Sequence, residues 1–283
     1  MGAVIIDGKT IAQKVKDEIK GEVQKLRQGL QPGLAAILVG DNPSSAIYVR
    51  NKRKACEAAG IYSEEHHLET HTSQEKLLEL IDALNHNHRI HGILVQLPLP
   101  KQINAESVLE RVSPDKDVDG FHWVNLGKLF AGFPSFIPCT PFGILKMLQY
   151  HDIQIQGKHA VIVGRSNIVG KPVGMLLLQQ HATVTICHSK TEDLPSICRQ
   201  GDILIAAVGR AKMITGDMVK PGAAVIDVGI NRLDSGKLVG DVDFESVSQT
   251  AGWISPVPGG VGPMTIAMLL YNTVSSAKRT LKN

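Results

Sequence analysis

A predicted helix at about residues 45–59 carries one lysine on its apolar face. At ~100° per residue, Tyr48, Lys52 and Cys56 share one stripe, while the other charged side chains of the segment lie on the opposite face. A charged amine in an apolar environment is costly, so Lys52 needs a specific polar partner or must lose its charge readily. The alternative is a structural lysine whose stem covers the core, and the stripe alone leaves both interpretations open.

Polar residues also follow a second apolar segment of the first half. Gln96 comes directly after the predicted strand at 92–95, and open α/β sheets place their binding sites at the carboxyl ends of strands. The alternative is an amide that satisfies loop backbone. Asp115, Asp117 and Asp119 lie within five residues, but the closing glutamate of an EF-hand is absent. A solvated acidic loop is the usual explanation of such a cluster, and the sequence predicts no metal site.

The second half contains a strand, a glycine turn and a helix start in succession. Residues 159–163 are apolar and β-branched, Gly164 opens the turn, and Pro172 is tolerated in the first turn of a helix. This arrangement presents backbone N–H groups and the positive end of a helix dipole to a phosphate. The spacing Gly164-x-Ser166-x-x-x-Gly170 departs from the usual G-x-G-x-x-G pattern. The pattern alone is therefore weak evidence for a nucleotide site.

The segments after this turn indicate which nucleotide would bind. Apolar runs at 183–187, 203–208 and 224–228 have the spacing of a doubly wound α/β sheet. In folds that bind NAD, the second strand usually ends in an acid that binds the ribose hydroxyls. Here the chain reads Cys-His-Ser-Lys at 187–190, and Arg165 lies in the first turn. The missing acid and the available cation favour NADP over NAD.

Composition excludes several classes of protein. The chain has 283 residues, 20% charged and 43% hydrophobic, with a net charge of +3, which is ordinary for a globular protein. This charge is too small and too dispersed to indicate nucleic-acid binding. Four cysteines without a C-x-x-C pair predict reduced thiols in a cytoplasmic protein. No apolar run approaches the ~20 residues of a membrane span.

The pattern of elements predicts an α/β protein with two α/β domains. We place a catalytic domain at residues 1–121 and a Rossmann-like NADP-binding domain at 122–283. A terminal helix at about 264–281 is a candidate to pack back on the first domain, in which case the linear boundary hides a crossing of the chain.

Seven short motifs occur in an order that resembles the bifunctional methylenetetrahydrofolate dehydrogenase/methenyltetrahydrofolate cyclohydrolase family. The resemblance spans nearly the whole chain, and the ordered set is highly specific. The motifs are YVRNK at 48–52, VQLPL at 95–99, DKDVDG at 115–120, PCTP at 138–141, VGRS at 163–166, CHS at 187–189 and PVPGGVGPMT at 256–265.

The resemblance implies two successive reactions in one-carbon metabolism. The family oxidises 5,10-methylenetetrahydrofolate to the 5,10-methenyl cation with NADP and then hydrolyses it to 10-formyltetrahydrofolate. Hydride loss removes no proton, so this step needs alignment more than a base, whereas water addition needs proton transfers. The resemblance therefore implies that Lys52 is the general acid/base, that Tyr48 and Gln96 orient it and the folate, and that Asp119 binds the pterin.

The remaining implications of the resemblance concern binding and assembly. It implies an active-site cleft between the two domains, a homodimer, and a cytoplasmic enzyme that supplies purine biosynthesis. Asp115 and Asp117 are interpreted as solvated or structural. The implied NADP positions are Gly164, Arg165, Ser166, Ser189 and Ile230, and the implied folate-lining loop contains Pro258, Gly259 and Gly260.

Three alternatives stay open on the sequence. A monofunctional enzyme would have lost one activity, although both Lys52 and the nucleotide turn are intact. A non-catalytic NADP-binding regulator would leave Lys52, Gln96 and Asp119 without a purpose. A short-chain dehydrogenase would share the Tyr48-x-x-x-Lys52 pair, but there the pair follows the nucleotide turn, whereas here it precedes it.

Overall fold

The computed structural model describes residues 2–26 and 29–281. Its internal contacts divide the chain into two compact units, and each unit combines two separate stretches of sequence. One consists of Met1–Ala12 with Thr140–Thr265, the other of Gln13–Cys139 with Ile266–Asn283. We name them the six-stranded unit and the three-stranded unit after their main sheets. None of the helices within the described ranges has the length and apolar content needed to cross a membrane.

Helices and strands alternate along most of the described chain. The helices are α1 (Gly8–Leu26), α2 (Pro43–Ala59), α3 (Gln74–His86), α4 (Ala105–Arg111), α5 (Trp123–Phe130), α6 (Cys139–Tyr150), α7 (Gly170–Gln179), α8 (Leu194–Cys198), α9 (Phe244–Val247) and α10 (Val261–Thr280). The strands are β1 (Val4–Ile5), β2 (Gly33–Val39), β3 (Tyr62–Leu68), β4 (Gly92–Val95), β5 (His159–Val163), β6 (Thr183–Cys187), β7 (Ile203–Ala206), β8 (Ala224–Asp227), β9 (Asn231–Arg232), β10 (Leu238–Val239) and β11 (Trp253–Ile254).

The division into units differs from the linear boundary expected after residue 121. The chain passes from one unit to the other within α1, α6 and α10, after residues 12, 139 and 265. Residues 122–139 therefore group with the first half of the chain, and the first 12 residues group with the second. A boundary placed from the pattern of elements does not show such passages, because the periodicity of a helix stays the same where the helix enters another unit.

The three-stranded unit is built on a parallel sheet in the order β3-β2-β4. Every residue of β2 and β4 is buried, which is why both strands read as continuous apolar runs. One face of this sheet packs against the apolar stripes of α3 and α4. The buried side chains of this cluster include Ile37, Val39, Leu77, Ile81, Ile93 and Val108.

The C-terminal helix α10 is bonded to this unit through polar side chains. Asn272 Nδ2 donates to the carbonyl oxygens of Val118 at 2.8 Å and Ile137 at 3.0 Å. Ser276 Oγ donates to Asp115 O at 2.9 Å. Residues from 266 onward thus belong with the unit that contains α2 and β4.

The six-stranded unit is a parallel sheet in the order β1-β11-β8-β7-β5-β6. From β5 the chain goes first to β6 on one side and then to β7 on the other, so the strand order reverses at β5. Doubly wound sheets bind ligands at such a reversal, beyond the carboxyl ends of the strands. The predicted α/β fold with a Rossmann-like second sheet is confirmed. Strand β1 was not predicted, because two exposed residues show no periodicity.

Candidate functional site

Lys52 is buried on α2, and its amine is hydrogen-bonded to a side-chain amide. The helix begins at Pro43, after Asn42, whose side chain accepts from Ser45 N at 3.1 Å. Lys52 is only 7% exposed, and its Nζ donates to Gln96 Oε1 at 3.1 Å. The amine is therefore held inside the protein and does not extend along the surface into water.

Gln96 is oriented by the strand that precedes it. Its backbone N–H donates to Ile37 O at 2.9 Å and so extends the pairing of β4 with β2. Its side-chain Nε2 donates to Leu97 O at 2.7 Å, which leaves Oε1 directed to Lys52. Tyr48 lies one turn before the lysine and is partly exposed. Burial raises the pKa of the Tyr48 hydroxyl, so it stays neutral and can donate or accept a hydrogen bond.

Asp119 belongs to the same neighbourhood of the three-stranded unit. Burial raises the pKa of Asp119, and the nearby Asp117 adds to this effect, whereas the charge of Lys52 opposes it. The Cys139 thiol donates to Val118 O at 3.2 Å. Burial and the charge of Asp119 raise the pKa of Cys139 well above its usual range. A neutral buried thiol therefore lies in the same neighbourhood as Lys52 and Asp119.

Asp117 is structural and not solvated. It is 4% exposed, and its carboxylate accepts from the backbone N–H groups of Gly120 at 3.1 Å, Phe121 at 3.1 Å and His122 at 2.9 Å. Asn125 Nδ2 completes the set at 2.8 Å. These bonds fix the loop that carries Asp119. Asp115 is exposed, and no metal-binding group of three His, Cys, Asp or Glu occurs among the residues described.

Sequence reasoning missed Asn125 and Asn272, which hold the same loop. Asn272 bonds the carbonyl groups of Val118 and Ile137 from a helix more than 130 positions away. The sequence feature that could have indicated Asn272 is an amide side chain within the apolar pattern of α10. A buried amide in such a position is expected to bond backbone.

The six-stranded unit contains the predicted nucleotide turn at the end of β5. Gly164 has φ +130°, and a Cβ there would overlap the carbonyl oxygen of Ala207, so only glycine fits. Ser166 Oγ accepts from Val169 N at 3.1 Å and Gly170 N at 3.3 Å. Ser166 thereby organises the start of α7, and a glycine turn that leads into a helix is an arrangement that suits an anion.

The other predicted NADP residues lie on loops at the carboxyl edge of the same sheet. Arg165 follows β5, Ser189 follows β6, and Ile230 follows β8. All three are exposed, and β5 and β6 are adjacent parallel strands. An exposed guanidinium and hydroxyl on neighbouring loops fit a phosphate ester.

The glycine-rich loop between β11 and α10 also belongs to the six-stranded unit. Lys9 N donates to Gly259 O at 3.1 Å. Gly259 and Gly260 are buried, whereas Pro258 is exposed. The predicted site residues therefore form two groups: Tyr48, Lys52, Gln96 and Asp119 in one unit, and the glycine turns with their neighbours in the other.

These features define an α/β protein with a dinucleotide-type sheet in one unit and a buried lysine–amide–carboxylate cluster in the other. The model of the tetrahydrofolate dehydrogenase/cyclohydrolase catalytic domain matches residues 6–119. The model of the NAD(P)-binding domain of the same family matches residues 138–281. The chain therefore belongs to the tetrahydrofolate dehydrogenase/cyclohydrolase family.

The similarity to individual proteins covers the full length. Bifunctional protein FolD of Halalkalibacterium halodurans is 61% identical, over 98% of this chain and 100% of the relative. The FolD structure from Campylobacter jejuni superposes with a TM-score of 0.97 at 54% identity, over 98% of this chain and 99% of that one. The Trypanosoma brucei enzyme, solved with NADP cofactor and inhibitor, has a TM-score of 0.96 at 39% identity and complete coverage of both chains.

These comparisons confirm the predicted family. They also confirm the prediction of an enzyme with methylenetetrahydrofolate dehydrogenase and methenyltetrahydrofolate cyclohydrolase activities that uses NADP. The residues at the edge of the six-stranded sheet fit NADP. The turn that requires glycine at position 164 and the start of α7 lie there, together with the exposed Arg165 guanidinium and Ser189 hydroxyl.

Proposed function

We propose that Lys52 transfers protons in the cyclohydrolase reaction. The observation that carries this assignment is a buried amine with its Nζ 3.1 Å from Gln96 Oε1. In its neutral form the amine accepts a proton from the water whose oxygen bonds to the methenyl carbon. The resulting ammonium then delivers a proton to N5 as the bond between N5 and that carbon breaks. The second water proton is released to solvent when the formyl C=O forms, so the cation and water give the neutral formyl product and one proton.

Gln96 and Tyr48 are proposed to orient this exchange. The Gln96 amide is held by its own bond to Leu97 O, so its oxygen directs the lysine amine without competing for the transferred proton. A neutral Tyr48 hydroxyl one turn away offers a hydrogen bond to water or folate. Positioned groups of this kind contribute typically 10²–10⁴-fold to a proton-transfer rate.

Asp119 is proposed to bind the aminopyrimidine edge of the pterin. A carboxylate accepts two N–H bonds from such an edge. Burial raises the pKa of Asp119 and the charge of Lys52 opposes this rise, so a neighbouring cation helps the acid to take the ionised form that this role needs. Pro258, Gly259 and Gly260 are proposed as folate-binding residues on their motif alone.

The dehydrogenase reaction is proposed to use the carboxyl edge of the six-stranded sheet. NADP, when bound, supplies the hydride acceptor. Gly164 and Ser166 are proposed to bring backbone N–H groups to the pyrophosphate, and Arg165 and Ser189 to bind the 2′-phosphate. Ile230 is proposed as an apolar contact of the cofactor, since it is 50% exposed at this edge.

The test separates the two activities with one substitution. We expect Lys52→Met to reduce cyclohydrolase activity by ~10³-fold or more and to leave part of the dehydrogenase activity, because hydride transfer needs no base. Methenyltetrahydrofolate decay and NADP reduction are followed separately by absorbance. Lys54→Met, an exposed residue of the same helix, is the matched control and should behave as wild type. Equal loss of both activities in Lys52→Met would contradict the role assigned to the amine.

We further propose that the protein is a cytoplasmic homodimer whose product feeds purine biosynthesis. The resemblance supports the assembly and the pathway, and the four free, buried cysteines support the compartment. Sedimentation equilibrium tests the assembly, and a monomeric mass at micromolar concentration would contradict it.

A further inference from the structure

Two buried carboxylates lie behind the carboxyl edge of the six-stranded sheet. Asp227 is the last residue of β8, and Asp241 follows β10. They are 4% and 0% exposed. Asp227 Oδ1 accepts from Gly229 N and Asp241 N, both at 2.9 Å, and its Oδ2 accepts from Val242 N at 3.0 Å.

Asp241 in turn binds the two loops that leave β7 and β8. Its Oδ2 accepts from Val208 N at 2.6 Å and Gly209 N at 2.9 Å. Its Oδ1 accepts from Arg210 N at 2.8 Å and from Asn231 Nδ2 at 2.9 Å. All four partners are donors, so the ionised carboxylate is the form that satisfies them.

The backbone around the pair leaves room for nothing larger than glycine. A Cβ at Gly240 would overlap the Asp227 carboxylate, and a Cβ at Gly229 would overlap the Asp241 carboxylate. Burial raises the pKa of Asp227 to about 6, with Asp241 adding to the effect and the backbone donors opposing it. Above this pH the Asp227 carboxylate accepts its three hydrogen bonds as an anion.

The loops fixed by Asp241 adjoin the proposed nucleotide turn. Ala207 N donates to Val163 O at 2.8 Å, and the Ala207 carbonyl oxygen occupies the space that a Cβ at Gly164 would need. The next three residues are those whose N–H groups Asp241 binds. The loop after β8 carries Ile230 between Gly229 and Asn231, which are both bonded to the pair.

We propose that Asp241 is a positioning residue for NADP binding. Its carboxylate, supported by Asp227, holds the loops after β7 and β8 in register with the turn at Gly164, without itself contacting the cofactor. The proposal rests on the proposed function, in which the nucleotide binds at this sheet edge. Four charge-assisted bonds converging on one side chain make these loops rigid before the ligand arrives.

The principal test is Asp241→Asn, which keeps the shape of the side chain. One acceptor oxygen becomes an NH₂ group that faces backbone donors, so at least one loop must move. We expect the Kd for NADP, measured by titration calorimetry, and the KM for NADP each to rise at least ~10-fold, equivalent to ~1.4 kcal/mol. The cyclohydrolase rate, assayed without nucleotide, should stay within twofold of wild type. Asp234→Asn removes an exposed carboxylate from the turn between β9 and β10 and is the control.

A milder variant covers the case in which Asp241→Asn does not fold. Asn231→Ala removes a single donor to Asp241 Oδ1, and we expect the Kd for NADP to rise ~2–5-fold with little change in Tm. NADP affinity within 1.5-fold of wild type in folded Asn231→Ala, or within twofold in folded Asp241→Asn, would overturn the proposal. Absence of NADP binding in the wild-type protein would instead overturn the proposed function, so the two failures are distinguishable.

Discussion

The candidate sites of the two units differ in the exposure of their functional side chains. In the three-stranded unit the reactive group is buried, and Lys52 Nζ is bonded to a single oriented amide. At the edge of the six-stranded sheet, Arg165, Ser189 and Ile230 are exposed, and the buried groups lie behind them. The difference follows from the chemistry: proton transfer gains from a defined partner and exclusion of water, whereas a large anion needs accessible donors on a rigid backbone.

Both units also contain a buried carboxylate that accepts hydrogen bonds from several backbone N–H groups. Asp117 accepts four bonds from residues three to eight positions ahead. Asp241 accepts four bonds, three of them from residues 31–33 positions earlier. The first carboxylate fixes a loop that carries its own site residue, while the second joins two loops distant in sequence. Mutations at the loops held by Asp117 and by Asp241 should therefore separate folate binding from nucleotide binding.

The largest difference between the effects on folate binding and on NADP binding is expected from Asp119→Ala. Loss of a carboxylate that accepts two N–H bonds costs ~3 kcal/mol, so the Kd for a folate substrate analogue should rise ~100-fold. NADP affinity should be unchanged, because the substitution lies in the other unit. Titration calorimetry with each ligand measures both values. Asp115→Ala, an exposed neighbour, should bind both ligands normally; unaltered folate affinity in Asp119→Ala would remove its binding role.

The opposite result, weaker NADP binding, is expected from Arg165→Ala. Removing one cation from a phosphate should raise the KM for NADP by ~10-fold while the KM for NAD changes little. Initial rates of nucleotide reduction at saturating folate give both constants. Arg232→Ala, an exposed arginine of the same unit, serves as control. If the preference for NADP over NAD survives in Arg165→Ala, the 2′-phosphate binds elsewhere.

The sequence predicted those features that depend on neighbouring residues. Periodicity identified the buried Lys52, and apolar runs matched β5 and β6. The glycine turn was recognised because a strand precedes it and a helix follows. Each of these signals lies within about 20 residues of chain.

Features that depend on distant contacts were not predicted. The N–H groups that explain Asp241 lie about 30 positions earlier, so its surroundings in sequence resemble an ordinary acidic loop. Asn272 likewise acts on backbone more than 130 positions away. The passages of the chain between units within α1 and α6 were not predicted either, because the periodicity of these helices continues without a break. Long-range hydrogen bonds of this kind leave no local pattern to read.

The smallest effect on ligand binding should come from Asp117→Asn, which tests the carboxylate that binds backbone N–H groups in the three-stranded unit. The amide can replace one carboxylate oxygen but not both, so the N–H groups of Gly120 and Phe121 or that of His122 lose their acceptor. We expect a loss of ~1–3 kcal/mol in the free energy of unfolding and a rise of ~3–5-fold in the Kd for folate, smaller than for Asp119→Ala because the loop shifts while its carboxylate stays. Urea unfolding and calorimetry measure the two values. If stability falls but folate affinity does not, Asp117 supports the fold alone and is not comparable to Asp241. A positioning carboxylate must affect ligand binding, because it holds the loop that carries the binding residue.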